Sequence, residues 1–171
     1  MAGTTDMTRA LPGAQSVEKG AEMRSPRPTR VQVEVSLCLV VPEGSALPVQ
    51  ASLRYEPSDP YAVHVVFHAG GDEPGAEVSW SFARQLLVDG LTEPSGMGDV
   101  RVWPWLGDEG PVAALALSSP DGHALFEVPR QSLENFLAST YMQVPLGGEG
   151  QHLDLDATLA HLLGASGSEP R

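Results

Sequence analysis

The first regular pattern along the chain is an alternation of apolar and polar residues that begins at Arg30. Valine and leucine occupy every second position from Val31 to Leu39, with Gln, Glu, Ser and Cys between them. This period of two is typical of a β-strand with one buried side and one side facing solvent. Similar alternation recurs at residues 61–67 and 78–82, and turn-forming Pro, Gly and Asp residues separate the runs. The pattern therefore predicts an antiparallel sheet.

Two stretches of the chain, residues 53–91 and 100–137, repeat the same order of elements. Each predicts three strands followed by a short helix, and Trp80 in the first stretch corresponds to Phe126 in the second. A small unit of this kind buries its apolar face by packing against a copy of itself. The predicted fold class is α+β, with duplicated antiparallel strand-strand-strand-helix units.

Helices are predicted where the apolar residues no longer occur at every second position. The first spans residues 83–89, and Gly90 is expected to end it in a left-handed conformation. The second follows Pro129, which suits the first position of a helix because it has no N–H to leave unpaired. Its apolar stripe is expected to consist of Leu133, Phe136 and Leu137. A C-terminal helix starting near residue 154 is predicted from apolar residues at helical spacing, namely Leu155, Leu159, Leu162 and Leu163.

One segment, residues 112–117, departs from the alternation because both of its faces are apolar. Such a strand is expected to be covered on both sides. Either a helix of the same chain or another subunit provides the second cover, and the sequence leaves both possibilities open. The second possibility would make the protein an oligomer.

Composition divides the chain into three parts and restricts its partners. Residues 1–29 lack any helical or strand period and predict a disordered leader, residues 30–165 a folded domain, and residues 166–171 a disordered tail. The chain has 10 Lys and Arg against 22 Asp and Glu, a net charge of −12. Nucleic-acid-binding domains usually show the reverse balance, because cations replace the counterions on phosphates. The charge therefore disfavours a nucleic-acid partner.

Cysteine usage and hydropathy bear on the compartment. The single cysteine, Cys38, excludes an internal disulfide and suits a reducing compartment. No apolar run approaches the ~20 residues of a membrane span. We predict a cytoplasmic protein without membrane insertion.

Motifs that would carry catalysis or bind a metal are missing from the sequence. His64 and His68 share one face of a strand but lie ~13 Å apart, whereas zinc ligands sit ~2 Å from a shared ion. Ser118, Asp121 and His123 are crowded into one hairpin turn, which is unsuited to the geometry of a catalytic triad. No phosphate loop, nucleophile elbow or dinucleotide motif is present. We therefore predict no enzyme activity, no metal and no cofactor.

Three aromatic residues are the candidates for protein interaction. Trp103 and Trp105 flank Pro104 at a strand end, where two indoles are seldom both buried, and Tyr141 lies in the second helix. Aromatic residues at such positions more often pack structurally than recognise a partner. Exposed tryptophans are nonetheless typical of interface hot spots, so we select Trp103, Trp105 and Tyr141.

Five segments of the chain are distinctive when they are taken together, namely LRYEPSDPYAVHVVFH, FARQLLVDGL, GDVRVWPW, LALSSPDGHALFEVPR and HLDLDATL. They occur in consistent order over about Val31 to Leu163. This series resembles the SsgA-like proteins, which are small acidic regulators of sporulation septation in actinomycetes.

The resemblance implies both a fold and a function. The implied fold is a Whirly-like β-barrel or sheet with packed helices, assembled as a homotrimer. The implied function is that of a non-catalytic cytoplasmic regulator of sporulation-specific cell division, acting at division septa. Its implied partners are the tubulin-like division protein FtsZ, the cell-wall machinery or a paralogue of the same family.

The alternative is a single-stranded nucleic-acid-binding protein, because the Whirly fold binds single-stranded DNA. Such proteins combine a cationic groove with stacking aromatic residues. Trp103, Trp105 and Tyr141 supply aromatic rings, but residues 30–165 contain no lysine.

Overall fold

The computed structural model describes residues 27–42, 46–68 and 77–153. The predicted C-terminal helix and most of the leader lie outside these residues. The described elements follow one another as β1 (Val31–Val40), β2 (Ala46–Tyr55), β3 (Ala62–His68), β4 (Glu77–Ala83), α1 (Arg84–Gly90), β5 (Val100–Gly107), β6 (Gly110–Ser119), β7 (Gly122–Pro129), α2 (Arg130–Gln143) and a 3₁₀ turn, Glu149–Gln151.

The seven strands form one antiparallel sheet in the order β4-β3-β2-β1-β7-β6-β5. Two three-stranded meanders, β2–β3–β4 and β5–β6–β7, each lead directly into a helix. Strand β1 lies between them and pairs with β2 on one side and with β7 on the other. The α+β class and the antiparallel sheet, both predicted from the alternation, are confirmed.

The sheet has an inner face, which packs against both helices, and an outer face. Alternate residues of β1, such as Val35 and Leu37, lie on the inner face, whereas Glu34 and Ser36 lie on the outer face. The predicted apolar stripe of α2 covers the inner face, and its residue Phe136 is fully buried. Core residues of the inner face and helices include Val35, Leu37, Leu53, Val65, Leu87, Val102, Leu115, Val128, Leu133, Phe136 and Leu137.

The sheet curls toward its inner face. The rings of Phe67 in β3 and Phe126 in β7 stack with their centroids 4.7 Å apart. Two strands separate β3 from β7, so a flat sheet would place these residues about 14 Å apart. The curl brings the two halves of the sheet into contact across the inner face.

The barrel closure implied by the resemblance does not occur in the described residues, where the sheet is open. Strands β4 and β5 are its two edges and do not pair with each other there. The outer edge of β5 is already occupied, because Val102 exchanges two backbone hydrogen bonds with Ser95. Two residues further along, Pro104 has no N–H to donate. Strand β5 is therefore poorly suited to close a barrel.

The left-handed end predicted for α1 at Gly90 is wrong. Helix α1 continues into a right-handed turn at Leu91, where φ is −77°. Glycine is required there for space instead. A Cβ atom added to Gly90 would lie 2.5 Å from the Cβ of Val102. The missing side chain thus lets α1 pack directly onto β5.

The described helices cover strand β6 on one face only. Its inner residues Ala113, Leu115 and Leu117 belong to the core. On the outer face, Ala114 is 3 % exposed because it lies between its register partners Trp103 and Glu127. Both described helices lie on the inner face, so in this part of the chain the outer face of β6 has no helical cover.

Candidate interaction surfaces

The first candidate surface is a pair of tryptophans on the outer face of β5, which we call the tryptophan patch. Trp103 and Trp105 are two residues apart on one strand and therefore point to the same side of the sheet. Trp105 is 58 % exposed, whereas Trp103 is half-buried. The Arg101 guanidinium carbon lies 5.9 Å from the Trp103 ring centroid. Together they form a flat surface, partly apolar and partly cationic, that suits contact with a partner.

Tyr141 is placed elsewhere in the molecule. It lies on α2 and packs against the core. The guanidinium carbon of Arg84 is 4.4 Å from the centroid of its ring. The structure therefore brings Trp103 and Trp105 together on the outer face and leaves Tyr141 on the helical side. Participation of these three residues in binding remains a prediction.

Tyr141 belongs to a buried cluster around Arg84, which the sequence analysis missed. Arg84 is only 3 % exposed. Its Nη2 atom donates to Glu149 Oε1 at 2.7 Å and its Nη1 atom to the carbonyl oxygen of Val144 at 3.0 Å. Nη1 also donates to the Tyr55 hydroxyl at 3.3 Å. The cluster joins the start of α1 to the residues that follow α2.

The cluster shifts the pKa values of two of its members, Tyr55 and Glu149. Burial raises the pKa of the Tyr55 hydroxyl, partly offset by the charge of Arg84. The pKa of the Glu149 carboxyl is lowered, chiefly because its own backbone N–H donates to it and further because Arg84 does. Arg84, Tyr55 and Glu149 are buried, so the cluster is structural.

One indirect signal for this cluster is present in the sequence. Arg84-Gln85 and Arg130-Gln131 occupy equivalent positions in the two repeated stretches. In the structure each arginine begins a helix and donates to a distant backbone carbonyl, and Arg130 Nη1 donates to the oxygen of Leu91 at 2.6 Å. The repeat thus marked both arginines, although it did not identify their partners.

A polar network on the outer face superficially resembles a hydrolase site. Ser52 Oγ lies 2.6 Å from His68 Nε2, and His68 Nδ1 lies 3.4 Å from Glu77 Oε1. Ser52 is fully buried, however, and its hydroxyl donates to Glu34 at 2.8 Å. A substrate would not reach this oxygen. The network instead links strands β1 to β4 through their side chains.

The network holds His68 in place and lowers the pKa of one carboxyl. His68 is half-buried, and its Nε2 atom is hydrogen-bonded to Ser52. The pKa of the Glu34 carboxyl is lowered, first by a hydrogen bond from the Gln32 side chain and then by one from Ser52. In the residues that the structure describes, no three His, Cys, Asp or Glu side chains are placed to hold a metal ion.

The second candidate surface is an apolar groove at the end of the inner face that the two described helices leave uncovered. Both helices start at the opposite end of the sheet, after Ala83 and Pro129. Trp80 is half-buried at the wall of this groove, and Val78 beside it is 55 % exposed. The open groove is lined by Leu39, Val49, Phe67, Val78, Trp80, Leu117, Ala124 and Phe126, with Asp121 and His123 at its rim.

These surfaces define a class of protein. The described residues present a tryptophan patch and an apolar groove, and the polar groups around Arg84 and Ser52 hydrogen-bond with one another. A scaffold of this kind acts by contact with other molecules. None of the helices in the described part of the chain is long and apolar enough to cross a bilayer.

Comparison with known proteins identifies the family. Residues 49–149 match the family model described as "Streptomyces sporulation and cell division protein, SsgA". The chain is 63 % identical over 138 residues to the sporulation-specific cell division protein SsgB of Salinispora tropica, covering 80 % of this chain and 95 % of that one. The chain therefore belongs to the SsgA family of sporulation and cell division proteins.

Solved structures agree with this assignment. One comes from work on SsgB mutations that correlate with longitudinal cell division during sporulation of Streptomyces coelicolor. It matches with a TM-score of 0.69 at 50 % identity and covers 75 % of this chain and 99 % of its own. An SsgA-like sporulation-specific cell division protein from Thermobifida fusca matches with a TM-score of 0.69 at 42 % identity, covering 80 % and 98 %. The comparisons confirm the predicted family and its non-catalytic role in sporulation septation.

Proposed function

We propose that this chain acts in the cytoplasm at division septa by binding division or cell-wall proteins, with FtsZ or a paralogue as the first candidates. The observation that carries the proposal is the exposed tryptophan patch on the surface of a cell-division protein. Exposed indoles of this kind form binding hot spots, because burying one in an interface removes a large apolar area from water. Trp105, at 58 % exposure, is the residue with most area still to bury within the patch.

The first prediction concerns binding to FtsZ. The wild-type chain is expected to co-sediment with FtsZ polymers, and Trp105→Ser to weaken this binding by about thirtyfold, the equivalent of about 2 kcal/mol for a hot-spot residue. Met142→Ser serves as the matched control, since Met142 is 82 % exposed and lies on α2, away from the patch. Wild-type enrichment no greater than that of an unrelated acidic protein would contradict FtsZ as the partner.

We also propose that the chain assembles as a homotrimer. The outer face of β6 supports this, because no described helix covers it and the apolar side chains of Val112 and Ala116 are only partly buried there. Small apolar side chains in a row permit the close approach of another copy. We propose three copies because the resemblance to the SsgA-like proteins implies a trimer.

The second prediction concerns subunit number. Light scattering is expected to give a mass three times that of the 18.1 kDa chain. Ala116→Lys is expected to dissociate the assembly, because it buries an unpaired charge in the interface. Ala138→Lys is the control, because it makes the same substitution at an exposed position of α2, away from the outer face of β6. A wild-type mass of one chain, or equal masses for both variants, would contradict this placement.

A nucleic-acid partner has less support. The two meander-and-helix units on one curled sheet support kinship with the Whirly fold, and the Arg101–Trp103 contact offers a stacking surface. The net charge of −12 opposes the approach of a phosphate backbone. We therefore propose a protein partner bound by the domain of residues 30–165, with residues 1–29 and 166–171 flanking it.

A further inference from the structure

The outer edge of β4 carries unpaired backbone groups. Arg84 N–H donates to the carbonyl oxygen of Tyr61 at 2.7 Å, which makes Tyr61 and Arg84 a hydrogen-bonded pair. Such pairs alternate along an antiparallel ladder, so the amide groups of Val78, Trp80 and Phe82 also point toward β3. Those of Ser79 and Ser81 point away from the sheet, and no described strand pairs with them.

The side chains along this edge do little to block a new strand. Proteins usually protect an exposed edge with proline, lysine or a bulge. Strand β4 has the sequence EVSWSFA, which contains no proline or lysine, and its one charged residue, Glu77, lies at its end. Its register with β3 is continuous, so it has no bulge. The other edge, β5, is protected by the Ser95 bridge and by Pro104. The two edges of the sheet therefore differ in their readiness to accept a partner.

The open groove lies along the same strand. Val78 and Trp80, which line the groove, alternate with Ser79 and Ser81 on β4. A strand added to β4 would place every second side chain on the inner face, beside Val78 and Trp80. Its alternate side chains would lie on the outer face, beside Glu77, Ser79 and Ser81.

Other copies and other segments of this chain fit the edge poorly. In a closed ring of three copies, each copy contacts the next one head to tail, through two different surfaces. If β4 formed this contact by strand pairing, it would have to pair with the other edge of the sheet, β5, in the next copy. The protected edge of β5 disfavours that pairing. Residues 154–163 have leucines at helical spacing, and residues 1–26 have no strand period. Neither segment has the sequence of an edge strand.

We propose that β4 is a docking site for an extended segment of another protein, which adds an eighth strand to the sheet. The segment alternates apolar residues, which enter the open groove, with Lys or Arg residues, which complement the net charge of −12. This inference deepens the proposed function by giving the division or cell-wall partner a binding mode. Its test uses a synthetic peptide, so a failure would leave the proposed function standing.

The probe is the capped peptide Lys-Val-Lys-Ile-Lys-Val-Lys, added to the full-length protein during amide hydrogen exchange measured by NMR. In the free protein the amides of Ser79 and Ser81 are expected to exchange quickly and that of Trp80 slowly. Saturating peptide is expected to slow exchange at Ser79 and Ser81 by at least tenfold. A peptide with proline in place of the central isoleucine is expected to give no protection.

A matched pair of variants tests the backbone contact. Ser81→Pro removes an N–H that faces away from the sheet, so the β3–β4 ladder is retained. It is expected to weaken peptide binding at least tenfold in fluorescence anisotropy, whereas Ser81→Ala, which keeps the N–H, retains it. Slow exchange of the Trp80 amide in both variants shows that the strand is still formed. Val78→Glu, at an exposed groove position, tests the apolar contact without touching the backbone and is also expected to weaken binding.

Each alternative occupant gives a distinct result that would overturn the proposal. Protection of Ser79 and Ser81 in the free protein, independent of concentration, would show that a segment of the same chain occupies the edge. Protection that rises with protein concentration would show a second copy there. Absence of peptide-induced protection at millimolar peptide would show that the edge does not accept this class of strand.

Discussion

Replacing Arg84 with alanine is expected to lower the free energy of unfolding by about 3 kcal/mol or more, the third prediction. The substitution leaves the buried Val144 carbonyl and the Tyr55 hydroxyl without their donor. It also removes the aliphatic stem that fills the space between them. Urea unfolding followed by circular dichroism measures the loss. Arg101→Ala, at an exposed position on the outer face, is the control and is expected to change stability by less than about 0.5 kcal/mol.

Part of the stability lost when Arg84 is replaced comes from the Glu149 carboxylate, which loses its partner. A second pair of variants measures this part separately. Arg84→Met keeps most of the volume but leaves the Glu149 carboxylate without its arginine. Adding Glu149→Leu removes the stranded carboxylate, so the double variant is expected to recover part of the stability lost in Arg84→Met. If Arg84→Ala cost less than about 1 kcal/mol, or the double variant recovered nothing, the cluster would not stabilise the fold as argued.

The fourth prediction concerns Gly90→Ala, which is expected to destabilise the protein by about 2 kcal/mol. Alanine normally stabilises a helix by up to about 1 kcal/mol relative to glycine. Here the new Cβ lies 2.5 Å from two atoms of Val102, which is fully buried. The core cavity that Val102 lines has a volume of only about 10 Å³, which is too small to take up the displaced side chain. Overpacking of this kind costs about 1–3 kcal/mol, so the steric cost is the larger effect.

Thermal unfolding of Gly90→Ala is compared with that of Gly98→Ala. A Cβ at Gly98 would meet no atom within 4 Å, so this control carries the same chemical change without the clash. We expect its midpoint to remain close to that of the wild type. A Gly90→Ala midpoint equal to or above the wild-type value would contradict the direct packing of α1 on β5.

The strands and the stripe of α2 were predictable because their signals are local. Alternation between Val31 and Leu39 depends only on which side chains face the core, and the structure places β1 at Val31–Val40. The helical spacing of Leu133, Phe136 and Leu137 likewise predicted buried residues. Local patterns of apolar residues in a single sequence therefore predict the strands and helices of this fold.

The arrangement of those elements and the buried polar groups could not be predicted in this way. Arg84 and Glu149 are 65 positions apart, and a charged residue at the start of a helix usually faces water. The requirement for Gly90 depends on Val102, which belongs to the next repeat unit. His68 contacts Ser52 only because of the register between β2 and β3. Each of these features depends on contacts between distant parts of the chain.

The position of β1 has a consequence for the order in which the molecule is completed during synthesis. Ten register pairs join β1 to β2, which follows it directly, but only the pairs Cys38–Glu127 and Leu39–Phe126 join β1 to β7. The N-terminal half can therefore assemble on the ribosome as a four-stranded sheet. One side of β1 then stays free to receive β7, and the C-terminal meander joins the sheet through this narrow seam.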